Sequence, residues 1–343
     1  MVIIEKQIEH VTFGFTQEEI EKEAQRLYSK IGHLGWTLND CLDIAPLTLR
    51  INKLKKKRGV HILAHSYQTP DIIFGVADNV GDSLGLSKKA TEVKENTILF
   101  CGVEFMAETA KILNPEKTVL VPKRGIGCTL ADSITREDVR KLKEKYPGAP
   151  VVCYVNTTAE VKAEADVCCT SANARKIVEK LDSDTIIFVP DYNMGVNLAK
   201  ITGKRIITYN GHCRTHDRIT KEKLKLLKKN KETLVFSHFE CKPEIIELSD
   251  LVGGTGDMHR FSKSSKTSKE VLFVTEQGFI DRMKVEYPHL KFLDSNMICP
   301  MMKQSNLINI LDCLENPKRE NIIEIEEEIR KRAFNAVNNM LKY

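Results

Sequence analysis

Short apolar runs that end in polar residues recur along this chain, with amphipathic stretches between them. Three of these runs open alike: Ile62-Leu-Ala-His65-Ser-Tyr67, Val151-Val-Cys-Tyr154-Val-Asn156 and Leu234-Val-Phe-Ser-His238-Phe-Glu240. Runs of this length, rich in Val, Ile, Leu and Phe, predict buried strands. After each comes a helix start carrying an acid (Asp71, Glu160, Glu244), then an aspartate behind a small residue at Asp78, Asp166 and Asp250. Small-residue loops follow at 81–83, 170–173 and 253–256. A second strand and helix are predicted from Ile98, Ile186 and Val271, and a third strand then delivers a cysteine. These cysteines, Cys128, Cys213 and Cys299, stand 85 and 86 residues apart. A fixed period of one strand–helix unit marks an internal repeat. Strands alternating with helical crossovers predict parallel βαβ units. The expected fold is α/β: three repeated three-layer αβα units over 46–128, 129–213 and 214–299, in pseudo-threefold arrangement.

The ends of the chain carry a different pattern. Thr16-Gln-Glu-Glu19 reads as a capping box opening a helix from Glu18 to Ile31, with Ile20, Ala24 and Leu27 on one stripe and Gly32 or Gly35 ending it. Residues 1–45 are therefore expected to form a helical extension without chemistry of its own. A second helix is predicted from Glu320 to Tyr343, within a C-terminal segment 318–343 packed on the first unit. Ser and Lys cluster without period from Arg260 to Lys269, which predicts a surface loop or a loop entering a helix.

Composition narrows the function. The 343 residues are 42% hydrophobic and 29% charged, an ordinary globular profile. The basic runs Lys53–Arg58 and Lys223–Lys229 read as solvated helix faces. Aromatics are only 6% and no nucleic-acid motif occurs, so no nucleic-acid partner is expected. A net charge of +5 suits anionic small molecules. The apolar start of Met1–His10 is broken by charge, and no apolar run approaches the roughly 20 residues of a membrane span. Ten cysteines without a leader point to a reducing cytoplasm rather than a disulfide framework.

Residues just past the carboxyl ends of parallel strands face the ligand crevice of open α/β sheets. Here they are the three cysteines with His65, Tyr67, Tyr154, Asn156, His238 and Glu240. Three units around one axis would bring three thiolates to one point, which suits an iron–sulfur cluster. Spacing alone leaves a cluster, zinc or no ligand open. Cys41, Cys101, Cys153, Cys168, Cys169, Cys241 and Cys313 read as small buried hydrophobes. Glu240 lies two residues beyond His238, on the same strand face, where a carboxylate suits a general base. Ser83, Asn156, Ser171 and Thr255 sit where helix N-termini attract anions, or where hydroxyls simply cap helices.

The chain resembles the quinolinate synthase (NadA) family from about Leu47 onward. The resemblance rests on Ala64-His-Ser-Tyr-Gln68, Ala77-Asp-Asn-Val-Gly-Asp-Ser83, Gly102-Val-Glu-Phe-Met-Ala-Glu108, Tyr154-Val-Asn-Thr-Thr158, Asp166-Val-Cys-Cys-Thr-Ser171, Gly211-His-Cys-Arg-Thr-His216 and Thr275-Glu-Gln-Gly278. It implies three αβα domains around a [4Fe–4S] cluster held by Cys128, Cys213 and Cys299. The implied activity is condensation of iminoaspartate with dihydroxyacetone phosphate to quinolinate, phosphate and water, with the open iron as Lewis acid. An enzyme that supplies iminoaspartate is the implied functional partner. His65, Tyr67, His238 and Glu240 would be catalytic. His65, Ser83, Tyr154, Asn156, Ser171, His238, Glu240 and Thr255 would bind substrate, and His216 would line the site or support Cys213. Two departures stand out: the family usually has His-Pro-Glu where this chain has His238-Phe239-Glu240, and Ser-Thr where it has Gly254-Thr255. A cluster protein that senses rather than catalyses is the alternative, and it needs no such pocket.

Overall fold

The structure is a computed structural model and describes residues 12–228 and 230–343. The sequence expectations on Met1–His10 and on Lys229 fall outside the described residues.

Thr16 caps helix α1 (Gln17–Ile31), giving and receiving the reciprocal bonds with Glu19. Gly32 ends it and Gly35 takes the left-handed φ of 98° after a 3₁₀ turn. Thr37 caps α2 (Leu38–Arg58) in the same way. The boundary expected at 45/46 is corrected, because α2 runs through it and carries Pro46 in its interior. Of the basic run at its end, Lys55 is buried, pairs with Asp78 at 2.8 Å and donates to the Val76 carbonyl. That residue departs from the expected solvated face.

Three parallel four-stranded sheets follow. The first comprises β1 (Val60–His65), α3 (Pro70–Gly75), β2 (Asn79–Gly81), α4 (Ser83–Glu92), β3 (Thr97–Cys101), α5 (Glu104–Leu113) and β4 (Thr118–Leu120). After α6 (Arg136–Lys145), the second repeats the order: β5 (Val151–Tyr154), α7 (Ala159–Lys162), β6 (Val167–Cys169), α8 (Ala174–Lys180), β7 (Thr185–Val189), α9 (Tyr192–Thr202) and β8 (Arg205–Thr208). After α10 (Lys221–Leu227) comes the third: β9 (Leu234–His238), α11 (Pro243–Ile246), β10 (Leu251–Gly253), α12 (Thr255–Ser264), β11 (Glu270–Val274), α13 (Gln277–Glu286) and β12 (Lys291–Leu293). Strand orders are β2-β1-β3-β4, β6-β5-β7-β8 and β10-β9-β11-β12. Each unit has four strands, not the three expected, and each cysteine follows the fourth. The segment read as a loop over 260–269 is helical as far as Ser264, at the end of α12.

The three aspartates explain the period. Asp78, Asp166 and Asp250 each accept a bond from the backbone N–H of Ile62, Val151 and Val235, at 2.8, 2.7 and 2.8 Å. Their own N–H groups donate to the carbonyls of the same three residues. Each brace fixes the start of a central strand against the chain returning to its neighbour. The side chains of the first sheet alternate: Leu63, Ile98 and Phe100 enter one core, and Ile62, Ala64 and Leu99 another. Both faces are covered, so each unit has three layers.

The chain then returns to the first unit. Helix α14 (Leu307–Glu315) lies on α2, with Arg50 bonded to Glu315 at 2.8 Å. Ile322 pairs with Leu120 beside β4, and α15 (Glu327–Leu341) lies across α5, α7 and β6. Arg332 reaches Glu164 at 2.9 Å. The expected C-terminal helix is thus shorter than 320–343, and it seats on the second unit as well as the first. Among the described residues no helix is long and apolar enough to cross a membrane.

Candidate functional site

One cavity collects the strand ends of all three units. His65, Tyr67, Ser83, Cys128, Tyr154, Asn156, Ser171, Cys213, His216, His238, Glu240, Thr255 and Cys299 line it. Every predicted site residue is therefore in one place.

The positioning is a repeated turn. Past each central strand the next N–H donates to the end of the short neighbouring strand: Ser66 to Gly81, Val155 to Cys169 and Phe239 to Gly253, at 2.9, 2.9 and 3.2 Å. In the third unit this is the bond that a proline at 239 would forgo. Phe239 also buries its ring in the core, and its carbonyl accepts from Asn197 at 3.0 Å. The turn is held without proline.

The turn also sets the tautomers. His65 Nδ1 accepts the N–H of Tyr67 at 3.2 Å, and His238 Nδ1 accepts that of Glu240 at 3.3 Å. Each ring is then a donor at Nε2, and His238 gives its proton to Ser171 Oγ at 3.2 Å. Burial, with the charges of Arg282 and Lys303, pulls His65 down to about 3. Burial and the neighbouring His216 do the same to His238, to about 3. Both are neutral at physiological pH.

Glu240 is almost fully buried. Burial alone would push its pKa up. His216 Nδ1 at 2.6 Å and the hydroxyl of Tyr154 donating at 2.7 Å overcome it and hold the carboxyl well below its usual range. Tyr67 OH meets Thr275 Oγ1 at 2.8 Å, and His216 Nε2 meets the same oxygen at 3.0 Å. Burial pushes Tyr67 and Tyr154 far up, so both keep their protons.

The hydroxyl residues are not capping. Asp82, not Ser83, caps α4, accepting from the Gly85 N–H at 2.7 Å. Gly254 occupies the cap of α12, its N–H bonded to Asp257 at 2.8 Å, which leaves Thr255 in the first turn. Asn156 Oδ1 is buried without any partner. Such an atom in a cavity wall points to a ligand.

The cysteines separate into two kinds. Seven are buried, as expected; Cys128, Cys213 and Cys299 alone are partly exposed. Each of the three opens an α-turn: the N–H groups of Asp132, Asp217 and Lys303 donate to the carbonyls of Cys128, Cys213 and Cys299. Backbone N–H groups within each turn also point at sulfur: Leu130 and Ala131 at Cys128, His216 at Cys213, Met301 and Met302 at Cys299. Burial raises all three thiols, Cys128 to about 12, so a bound cation must displace the protons. Three accessible thiols with amide donors to sulfur fit a cluster with one iron free of protein ligands.

His216 and Thr275 are central in this geometry, whereas the sequence singled out neither firmly. Both stand inside stretches that carry the family resemblance, Gly211–His216 and Thr275–Gly278, which was the available signal.

A family model described as quinolinate synthetase A protein matches residues 49–342. A quinolinate synthase of Sinorhizobium fredii is 44% identical over 339 residues, covering 97% of this chain and 92% of its own. One from Dehalococcoides mccartyi is 46% identical over 296 residues, covering 85% and 97%. Another from Xylella fastidiosa is 44% identical over 292 residues, covering 85% of each.

Proposed function

The chain belongs to the quinolinate synthetase A family, and on that premise we propose that it is a quinolinate synthase. It condenses iminoaspartate with dihydroxyacetone phosphate to quinolinate, phosphate and water, in the synthesis of NAD. The observation that carries the reading is the convergence of one cysteine and one polar strand end from each unit on a single cavity.

Cys128, Cys213 and Cys299 would hold a [4Fe–4S] cluster, which when bound supplies a Lewis acid to the substrate. The rest falls to side chains. The first turns of α4 and α12, with Ser83, Thr255 and Ser171, present N–H and hydroxyl donors to carboxylates and phosphate. The Nε2–H groups of His65 and His238 add two neutral donors. Asn156 Oδ1 is the acceptor for a substrate donor, an imine or hydroxyl. Glu240, ionised and oriented by Tyr154, takes protons from carbon in the enol–keto shifts. Tyr67, protonated and held by Thr275, returns them, with His65 against its ring at 4.5 Å between centroids. Burial of His65, His238 and Glu240 keeps bulk water from the reacting atoms. Iminoaspartate hydrolyses readily, so an enzyme producing it is the implied source, and the cytoplasm is the compartment this reading takes.

The test is anaerobic preparation, iron and sulfide analysis, and a quinolinate assay with both substrates. About four irons per chain with product is expected; four irons without product would refute the activity. Glu240→Gln should lower turnover by about 10²-fold or more while leaving the iron content unchanged. Turnover close to the parent's would remove Glu240 as the base.

A further inference from the structure

Each unit lays one helix against the next unit. Helix α5 packs on α7, α9 on α11 and α13 on α3, so these contacts run once around the three units. The second and sixth residues of each helix are four apart and share one face. On α13 they are Gly278 and Arg282, and the Arg282 guanidinium donates to Ser66 Oγ, beside Tyr67, at 2.8 Å. On α5 they are Phe105 and Thr109, and the Thr109 hydroxyl turns back to the Phe105 carbonyl of its own helix at 2.8 Å. On α9 they are two buried amides, Asn193 and Asn197.

These amides take the carbonyls around Glu240 one by one. Asn197 Nδ2 donates to the Phe239 carbonyl at 3.0 Å and to the Cys241 carbonyl at 2.9 Å. Asn193 Nδ2 donates to the Glu240 carbonyl at 3.2 Å. Its second hydrogen goes to Asp217 Oδ1 at 2.8 Å, and the Asp217 N–H closes the α-turn on Cys213. Three successive carbonyls of the third unit are thus held from the second. A buried carbonyl left without its donor is costly, so the turn cannot shift without the helix.

We propose that Asn193 and Asn197 are positioning residues for the base. They fix the backbone of Glu240, and through it the carboxylate, where the substrate meets it. The inference rests on the quinolinate reading with Glu240 as the base. Misplacing a reacting group by about 1 Å is enough to lose much of a rate. Tyr154, which donates to the Glu240 carboxylate, stands in the second unit with α9. The two amides therefore lock the base to the unit that supplies its hydroxyl donor.

The experiment uses the cluster-loaded full chain under anaerobic conditions. The quinolinate assay is run on Asn197→Ala in the parent background and in the Glu240→Gln background. In the parent background kcat should fall about 10-fold, with KM within about twofold and the iron content unchanged. In the Glu240→Gln background the same substitution should change the residual turnover by less than about twofold, because the base it positions is gone. Asn193→Ala should follow the same pattern. Asn197→Ser keeps one hydroxyl donor, should lose less kcat than Asn197→Ala, and carries the test where the alanine variant does not fold. An unaltered kcat in the parent background would overturn the proposal. So would an equal loss in both backgrounds, which is what a general loosening of the fold produces. A parent chain that forms no quinolinate would defeat the reading itself and this inference with it, an outcome seen before any variant is assayed.

Discussion

His65 shows how burial turns a common side chain into a fixed donor. Its folded-state pKa is pushed to about 3 from an ordinary 6.5. A base depressed in this way binds its proton more readily in the unfolded chain. Its contribution to stability is therefore complete above about pH 6.5 and is lost as pH falls from 6.5 toward 3. At pH 5 the loss from this one group is about 2 kcal/mol. The thermal midpoint of the chain should drop between pH 7 and pH 5, and His65→Asn should flatten that drop; equal slopes in the two proteins would contradict it. Gly254 carries a second prediction. A Cβ there would stand 2.8 Å from Ser171 Cβ and 2.9 Å from its carbonyl carbon, so Gly254→Ser must shift the backbone at Ser171 and with it the contact to His238. A loss of about 1–3 kcal/mol is expected by urea titration, with a raised KM. Unchanged stability would mean that the loop at Ser171 yields without cost. At this scale the sequence brought out residues that recur, because Tyr67, Asn156 and Glu240 occupy one repeat position. His216 has no such counterparts. The equivalent positions after Cys128 and Cys299 are Ala131 and Met302, so no period announced it.

Among the elements, one strand of each unit was missed. Strands β2, β6 and β10 have three residues each, too few to show an alternation, and stand just before the small-residue loops, so no strand was expected there. Their existence depends on the aspartate braces and on pairing with the central strands, which are contacts distant in sequence. Strands β4 and β12, equally short, were expected because a cysteine follows each in register with the repeat. Ile323 and Ile325 fall with Ile329, Ala333, Val337 and Leu341 on one face of the expected helix, but they precede α15 in a segment that pairs beside β4, so tertiary contact overrode the pattern. Phe239 offers a test at this level. Phe239→Pro would restore the usual family residue, yet here it deletes the N–H bond to Gly253 and a buried ring. A loss of about 3–5 kcal/mol is expected from the urea midpoint, most of it from the ring. A variant as stable as the parent would show that the turn does not rely on either contact.

For the whole molecule, three separately braced units meet at one cavity, and each supplies one of the three accessible cysteines. A ligand that binds only the folded chain stabilises it, and one that bridges three units couples them. The cluster-loaded chain, kept anaerobic, should therefore melt well above the same chain after chelation and in a single transition. Identical midpoints would be incompatible with ligation from all three units. The repeat of units and the convergence of cysteines were legible from spacing. The seat of α15 on the second unit and of α14 on α2 was not, since nothing in a local pattern says which distant surface a helix will cover.

A frame with threefold repetition would by itself accept a ligand in three equivalent rotations. The tips of the turns forbid this. At one and the same backbone position the three units present a phenol, an amide and a carboxylate, at Tyr67, Asn156 and Glu240. The cavity is thus a keyed socket on a nearly symmetric mount. The three repeated units make the mount and these unlike side chains make the key, so that, on the proposed reading, a small, flexible molecule meets one orientation rather than three.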